Sequence, residues 1–262
     1  AANETVAQDY FWQEIPFVYR THEVPDTEKI KKLSTFINNF GYHIHMGSDE
    51  VHPKELQKLL AKIEDTPVEG LISRLTLRSM KQAKYSVECV GHFGLAAQYY
   101  CHFTSPIRRY PDLQIHRIIK DSLRGRMNEK RMEHYWKILP GVAQQASQLE
   151  RRADEAERET IKMKKVEYME SRIGNEYEGV ISGITNYGLY VELPNTVEGM
   201  VHVTTLRGDY YNYIESTYEM VGENTGKSYK LGQTVKIRVI GTDKLVRRID
   251  FELVDPKKEE EF

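Results

Sequence analysis

The sequence predicts an α+β protein made of two unlike parts, and three observations carry that prediction. Apolar residues recur at helical spacing in long segments as far as about residue 171; five short alternating runs follow Gly174; and 262 residues with 40% hydrophobic content can bury one large domain plus a small module. The expected division is a mostly helical unit with short strands at 1–171, a five-stranded β-barrel at 172–256 and a charged tail at 257–262.

In chain order, AANETVAQDYFW is expected as a helix, and IPFVYRTHEVPD, with its two prolines, as an ordered loop that ends in Asp26 as a helix cap. The capped helix should run to Phe40 and stop at Gly41, with a short β-like stretch from Tyr42 to Met46. Pro53 begins an amphipathic helix through Ile63, with Leu56, Leu59, Leu60 and Ile63 at helical spacing. Thr66, Pro67 and Glu69 have the form of a capping box and start a helix to about Ala83. Strands are expected at Tyr85 to Val90 and Gln98 to Phe103, around GHFGLA, where two glycines allow a tight backbone path.

The stretch from Cys101 to Arg117, CHFTSPIRRYPDLQIHR, concentrates the chemistry. Ser105 is expected to cap a helix that has Pro106 at its first position, leaving forward-pointing N–H groups that attract anions. Arg108 and Arg109 add forked donors that match phosphate oxygens. Pro111 disfavours a helical Tyr110, so a kink is expected there, before a second helical run that Gly125 closes and that Leu113, Ile115, Ile118 and Ile119 bury. Pairing with acidic neighbours is the plain alternative for either arginine alone. The grouping of Ser, Pro and two arginines between His102 and His116 favours an anion site. Asn128 then caps a helix that Pro140 should break, and the pattern stays helical to about Ser171 along Val142, Ala146, Leu149, Ala153, Ala156, Thr160 and Met163. Its charged run, ERRADEAERE, is most simply a solvated face.

Past Gly174, the five runs EYEGVISGIT, YGLYVEL, EGMVHVT, QTVKIRVIGTD and RRIDFELV are the expected barrel strands. Tyr187, Tyr190 and His202 alternate with aliphatic residues, so their rings can face outward as a stacking platform for bases, with Arg248 meeting a phosphate on the same face. Ordinary aromatic packing on strands is the alternative. The insertion from Arg207 to Tyr229 is expected as a loop or short helix across the barrel.

A net charge of -2 gives no overall attraction to nucleic acid, yet residues 61–171 carry 20 basic against 15 acidic side chains, which favours a local phosphate-binding surface. Cys89 and Cys101 offer neither a disulfide framework nor a zinc-ligand spacing, and nothing resembles a signal peptide or a membrane span. A cytoplasmic protein with no membrane partner is expected. The chain opens on Ala1 already in helical pattern, which points to a further part upstream.

HFTSPIRRYPDLQIHR resembles the signature of the RNB catalytic domain of the ribonuclease II and ribonuclease R superfamily. ANETVA, PFVYRTHEVPD, GHFGLA and ERRADEAERE resemble further blocks in the same order, most like the ribonuclease R branch, while GVISGITNYGLYVEL and EGMVHV resemble the OB-fold module of ribosomal protein S1 type. The resemblance implies a processive hydrolytic exoribonuclease that threads single-stranded RNA from its 3′ end, degrades structured RNA as well, and releases nucleoside 5′-monophosphates with Mg2+. It implies that Arg108 is the catalytic arginine and that Glu157 contacts the 3′-terminal nucleotide. Ser105, Arg109, Tyr110, Glu157, Tyr187, Tyr190, His202 and Arg248 are the candidate substrate-binding residues.

The family holds its magnesium with clustered aspartates, and this sequence has none closely spaced; His22 with Glu23 and Asp49 with Glu50 stand isolated. The chain is therefore expected to be the C-terminal part of the enzyme, inactive alone and partnered by the missing N-terminal part of the same protein. A non-catalytic RNA-binding protein that works through its barrel is the alternative, and a structural adaptor built on the long helix is a third.

Overall fold

The computed structural model describes residues 1–254 apart from 48–50, 67 and 216. Asp49, Glu50, Pro67 and the expected charged tail therefore lie outside the described residues. Two compact units form, one from Ala1–Glu64 with Ile72–Glu155 and one from Asp65–Leu71 with Ala156–Phe262.

The first unit opens with α1 (Ala2–Trp12), whose Ala7 and Tyr10 are buried with Phe17, Ile115, Tyr135 and Leu139. Asp26 caps α2 (Thr27–Asn38) as expected, its carboxylate accepting from the N–H groups of Glu28 and Lys29. Helix α3 (Pro53–Ile63) has its expected bounds and buries Leu56, Leu59 and Ile63. Helix α4 (Glu69–Ser79) ends a turn early, and the Glu69 carboxylate accepts from the N–H of Asp65 at 2.9 Å.

Several expectations for this unit fail, among them the strand expected from Tyr85 to Val90, which ends at Ser86. The supposed loop at 15–26 contains β1 (Tyr19–Thr21), paired antiparallel with β2 (Lys84–Ser86) in the register Arg20↔Tyr85; three residues are too few to show alternation. Gln98 to Phe103 is no strand, because its backbone bonds go singly to either side: Arg20 N–H donates to Tyr100 O, and Cys101 N–H to Asn3 O. Tyr42 to Met46 makes one isolated bridge, Met46↔Val51.

Helix α6 (Glu129–Glu170) runs unbroken for 42 residues through Pro140. Pro140 and Trp136, whose carbonyl loses its N–H partner, are both exposed, so water can serve that carbonyl while buried Tyr135, Leu139 and Ala143 hold the helix to the core. The buried stripe is accordingly Tyr135, Leu139, Ala143 and Ser147, and residues 151–158 are exposed on every side.

The second unit contains a closed barrel. Strands β3 (Glu176–Thr185), β4 (Gly188–Glu192) and β5 (Glu198–His202) are antiparallel neighbours. The insertion then forms a three-stranded antiparallel sheet, β6 (Tyr211–Ile214), β7 (Glu219–Gly222) and β8 (Ser228–Lys230), in place of the expected loop or helix. Asp209 organises its β7–β8 turn, accepting from the backbone N–H groups and side chains of both Asn224 and Thr225.

Strands β9 (Thr234–Asp243) and β10 (Arg248–Leu253) return to the barrel, which closes in the order β10-β5-β4-β3-β9 with β10 and β5 parallel. Ile181, Leu189, Val191, Val201, Val239 and Phe251 fill the interior. Gly188 has φ +148°, and a Cβ there would lie 2.1 Å from the carbonyl oxygen of Val201, so no other residue fits.

Candidate functional site

The expected anion site at Ser105 is built differently from the sequence expectation. Residues 105–109 form one isolated turn, in which Ser105 O accepts from the N–H groups of Arg108 and Arg109 at 3.3 and 3.1 Å. Helix α5 (Tyr110–Leu123) begins only afterwards, with Arg109 extended as its cap and Pro111 in the first turn. Pro111 brings no N–H, so a continuous helix from Pro106 has no bond to make there, whereas at a helix start the loss costs nothing. Ile115 and Ile118 are buried as expected, while Leu113 is 42% exposed, and Gly125 closes the helix at φ +63°.

The side chain of Asp112 decides the local geometry. It is fully buried and accepts three hydrogen bonds, from Ser105 N–H at 2.9 Å, Arg109 Nε at 2.9 Å and Arg109 Nη2 at 2.8 Å. Much of the fork of Arg109 is thus directed at a carboxylate. Arg108 is exposed and has no ionic partner among the described residues, and Ile107 beside it is fully exposed. Tyr110 is 52% exposed.

Behind this turn lies a run of rings. Tyr85 OH and His102 Nδ1 hydrogen-bond at 2.9 Å, Tyr100 lies edge-on to both His102 and His92, and His92 lies edge-on to His22. Burial, with the nearby charges of Arg109 and Arg20, pushes the His102 pKa down to about 4; burial, with His22 and Arg20, does the same to His92. Arg20 stacks over Tyr85 at 4.7 Å and pairs with Glu150 at 2.6 Å. His116 donates from Nε2 to Phe103 O at 2.9 Å and stacks on the Phe103 ring, so it ties α5 to Phe103.

On the barrel, alternation puts Leu189, Val191, Val201, Ile249 and Phe251 inside, and Tyr190, Met200, His202, Arg248 and Asp250 outside. Tyr190 faces Met200, and Met200 faces Asp250, across adjacent strands. His202 and Arg248 line one groove of about 250 Å³ with Met200, Ile240 and Asp250. His202 Nδ1 accepts from Thr204 N–H at 3.3 Å, which leaves Nε2–H as a donor. Arg248 pairs with Asp250 at 2.9 Å. Tyr187 sits in the turn before β4 and is 70% exposed. Glu157 belongs to the exposed run of α6, in the second unit.

Residues 1–125 match the RNB domain and residues 170–253 the S1 RNA binding domain. Ribonuclease R 1 of Lactococcus lactis is 45% identical over 251 residues, 96% of this chain and 31% of that protein; ribonuclease R of Thermotoga maritima is 44% identical over 261 residues, 98% and 36%. The chain thus carries an RNB match followed by an S1 RNA binding match and is similar to ribonuclease R over nearly its whole length. It spans about a third of the length of these relatives. The structure of Mycoplasma genitalium RNase R in complex with ribose-methylated single-stranded RNA matches with a TM-score of 0.90 at 27% identity, covering 97% of this chain and 40% of that one.

Among the described residues no three His, Cys, Asp or Glu side chains gather as a metal-ligand group, so the described residues do not fit a magnesium site. Among them, too, no helix is long and apolar enough to cross a membrane. Sequence reasoning missed Asp112, which lies four residues from Arg108 and three from Arg109, so spacing alone offers it to either arginine. It also missed Met200 and Asp250, which period-two alternation places beside His202 and Arg248.

Proposed function

We propose that this chain is the C-terminal part of a processive, hydrolytic 3′-to-5′ exoribonuclease that degrades single-stranded and structured RNA to nucleoside 5′-monophosphates. The observation that carries the reading is Arg108: an exposed guanidinium with no ionic partner among the described residues, on a turn tied down by a buried carboxylate. Such a group is free to meet the charge that develops on a phosphate oxygen, which is where phosphoryl transfer gains most from a placed cation.

Ser105, Arg109 and Tyr110 surround Arg108 as substrate contacts, Arg109 acting as a fixed positive charge anchored on Asp112. Glu157 accepts from sugar hydroxyls of the 3′-terminal nucleotide, a contact DNA cannot make in full. Tyr187, Tyr190, His202 and Arg248 hold the strand on the barrel by stacking, hydrogen bonding and phosphate contact. The RNB part spans 1–171 and the barrel domain 172–256. Magnesium belongs to the enzyme but is held outside this chain, by the N-terminal part of the same protein, and the protein works in the cytoplasm.

The test follows labelled single-stranded RNA with the full-length protein, its Arg108→Ala variant and this chain alone. Mononucleotide products are expected from the first, a loss of about 10²-fold or more from the second, and none from the third. Undiminished degradation by the Arg108→Ala protein would end the assignment. RNA bound without degradation by the full-length protein would favour a non-catalytic binding protein.

A further inference from the structure

We propose that Asp112 is the positioning residue for Arg108, holding by one carboxylate both ends of the turn that presents it. The inference rests on Arg108 being the functional arginine, and the geometry supplies the rest. The turn starts at Ser105, whose N–H donates to Asp112 Oδ1, and ends at Arg109, whose Nη2 and Nε donate to Oδ1 and Oδ2 of the same side chain. Between these ends Ile107 is fully exposed and Arg108 is exposed, so neither apolar burial nor an ion pair fixes the apex. The direction of Arg108 is then set by the backbone, and the backbone by the bonds at the two ends. Ser105 O completes the ring by accepting from the N–H groups of both arginines.

Asp112 suits this task because it is fully buried on the first turn of α5, flanked by buried Pro111 and Gln114. Its bonds to Arg109 are charge-assisted and shielded from water, which makes them shorter and more directional than neutral ones. Asparagine at this position keeps the volume but replaces one acceptor oxygen with an NH2 group. With the NH2 in the place of Oδ2, Arg109 Nε faces a donor; in the place of Oδ1, both the Ser105 N–H and Arg109 Nη2 do, and the turn opens there. Arg108 stays charged and present, and loses its aim. The placement of a reacting cation is worth large factors in rate, so the loss should fall on the chemical step more than on RNA binding.

The experiment is a double-mutant cycle in the full-length protein, read as single-turnover degradation of labelled single-stranded RNA at saturating and limiting concentration. Asp112→Asn should lower kcat by about tenfold or more with KM changed by less than about threefold, and in the Arg108→Ala background it should cost nothing further. Arg109→Lys, which keeps the charge and loses the fork, should give the same pattern more weakly. Circular dichroism and thermal melts check that each variant folds, and Arg109→Lys carries the test should Asp112→Asn fail to fold. A variant within about twofold of wild type, or losses that multiply in the double variant, would overturn the positioning role while leaving Arg108 in place. Full activity in Arg108→Ala would remove both the assignment of Arg108 and this inference with it.

Discussion

Arg248→Ala is the sharpest probe of the barrel surface, because the groove around it is defined strand by strand. Arg248 is paired with Asp250 at 2.9 Å, with side-chain exposures of 53% and 28%. An exposed pair of this kind is worth at most about 1 kcal/mol, so it cannot keep the guanidinium from an incoming phosphate. Each phosphate neutralised on a single strand contributes about 0.7 to the slope of log affinity against log salt. Removing Arg248 should therefore lower that slope by about 0.7, and from about 50 to about 200 mM salt the variant should lose about 2.6-fold less affinity than wild type does. Asp250→Asn acts in the opposite sense. It takes one negative charge from the groove and frees its neighbour, and should tighten binding by up to about fivefold. Fluorescence anisotropy of a labelled oligouridine, titrated at several salt concentrations, measures both. An unchanged slope in Arg248→Ala, or weaker binding in Asp250→Asn, would refute the phosphate contact.

Three further outcomes are expected. Replacing Tyr187 and Tyr190 together with alanine should weaken RNA affinity by ~1–3 kcal/mol for each base that stacks, in the same titration, and unaltered affinity would return both rings to a packing role. His92 and His102 titrate near 4 when folded against about 6.5 when unfolded, so their contribution to stability is complete above about 6.5 and declines as pH falls towards 4. Thermal melts across that window should show the decline, less steeply in His102→Gln; an identical slope in the variant would contradict it. Hydrogen bonds from Thr225 and Asn224 hold the Asp209 carboxyl well below the usual carboxylate range, so its support of the β7–β8 turn is present at neutral pH and lost only in strong acid. Amide exchange at Asn224 and Thr225 should rise sharply in Asp209→Ala, and protected amides there would show that the turn stands without it.

The barrel was legible in the sequence because each strand is long enough to alternate and each connection has turn residues. The 10-residue run EYEGVISGIT became β3 with the bounds it was expected to have. The insertion was misjudged since its strands have 4, 4 and 3 residues, and its order depends on Asp209 reaching 15 and 16 residues along the chain, which no local pattern records. In the first unit, helices with apolar stripes and caps were placed well, as at Asp26 and Pro53. Pro140 misled for the opposite reason: a local rule was sound, and exposure of the affected carbonyl made it inoperative.

The arginines of the central motif show where residue types stop and geometry begins. Arg108 and Arg109 are adjacent, equally basic and equally suited to phosphate, and nothing in their order says which one is used internally. The backbone decides it. With Arg109 extended ahead of Pro111, its side chain reaches Asp112 three residues on, while Arg108, on the turn, has no ionic partner among the described residues. A buried carboxylate needs a cation and additional donors, and Arg109 with Ser105 supplies them. The neighbouring cation stays exposed. Under the proposed function, an anion site is made here by using one arginine to satisfy the protein, so that the other need not be satisfied by it.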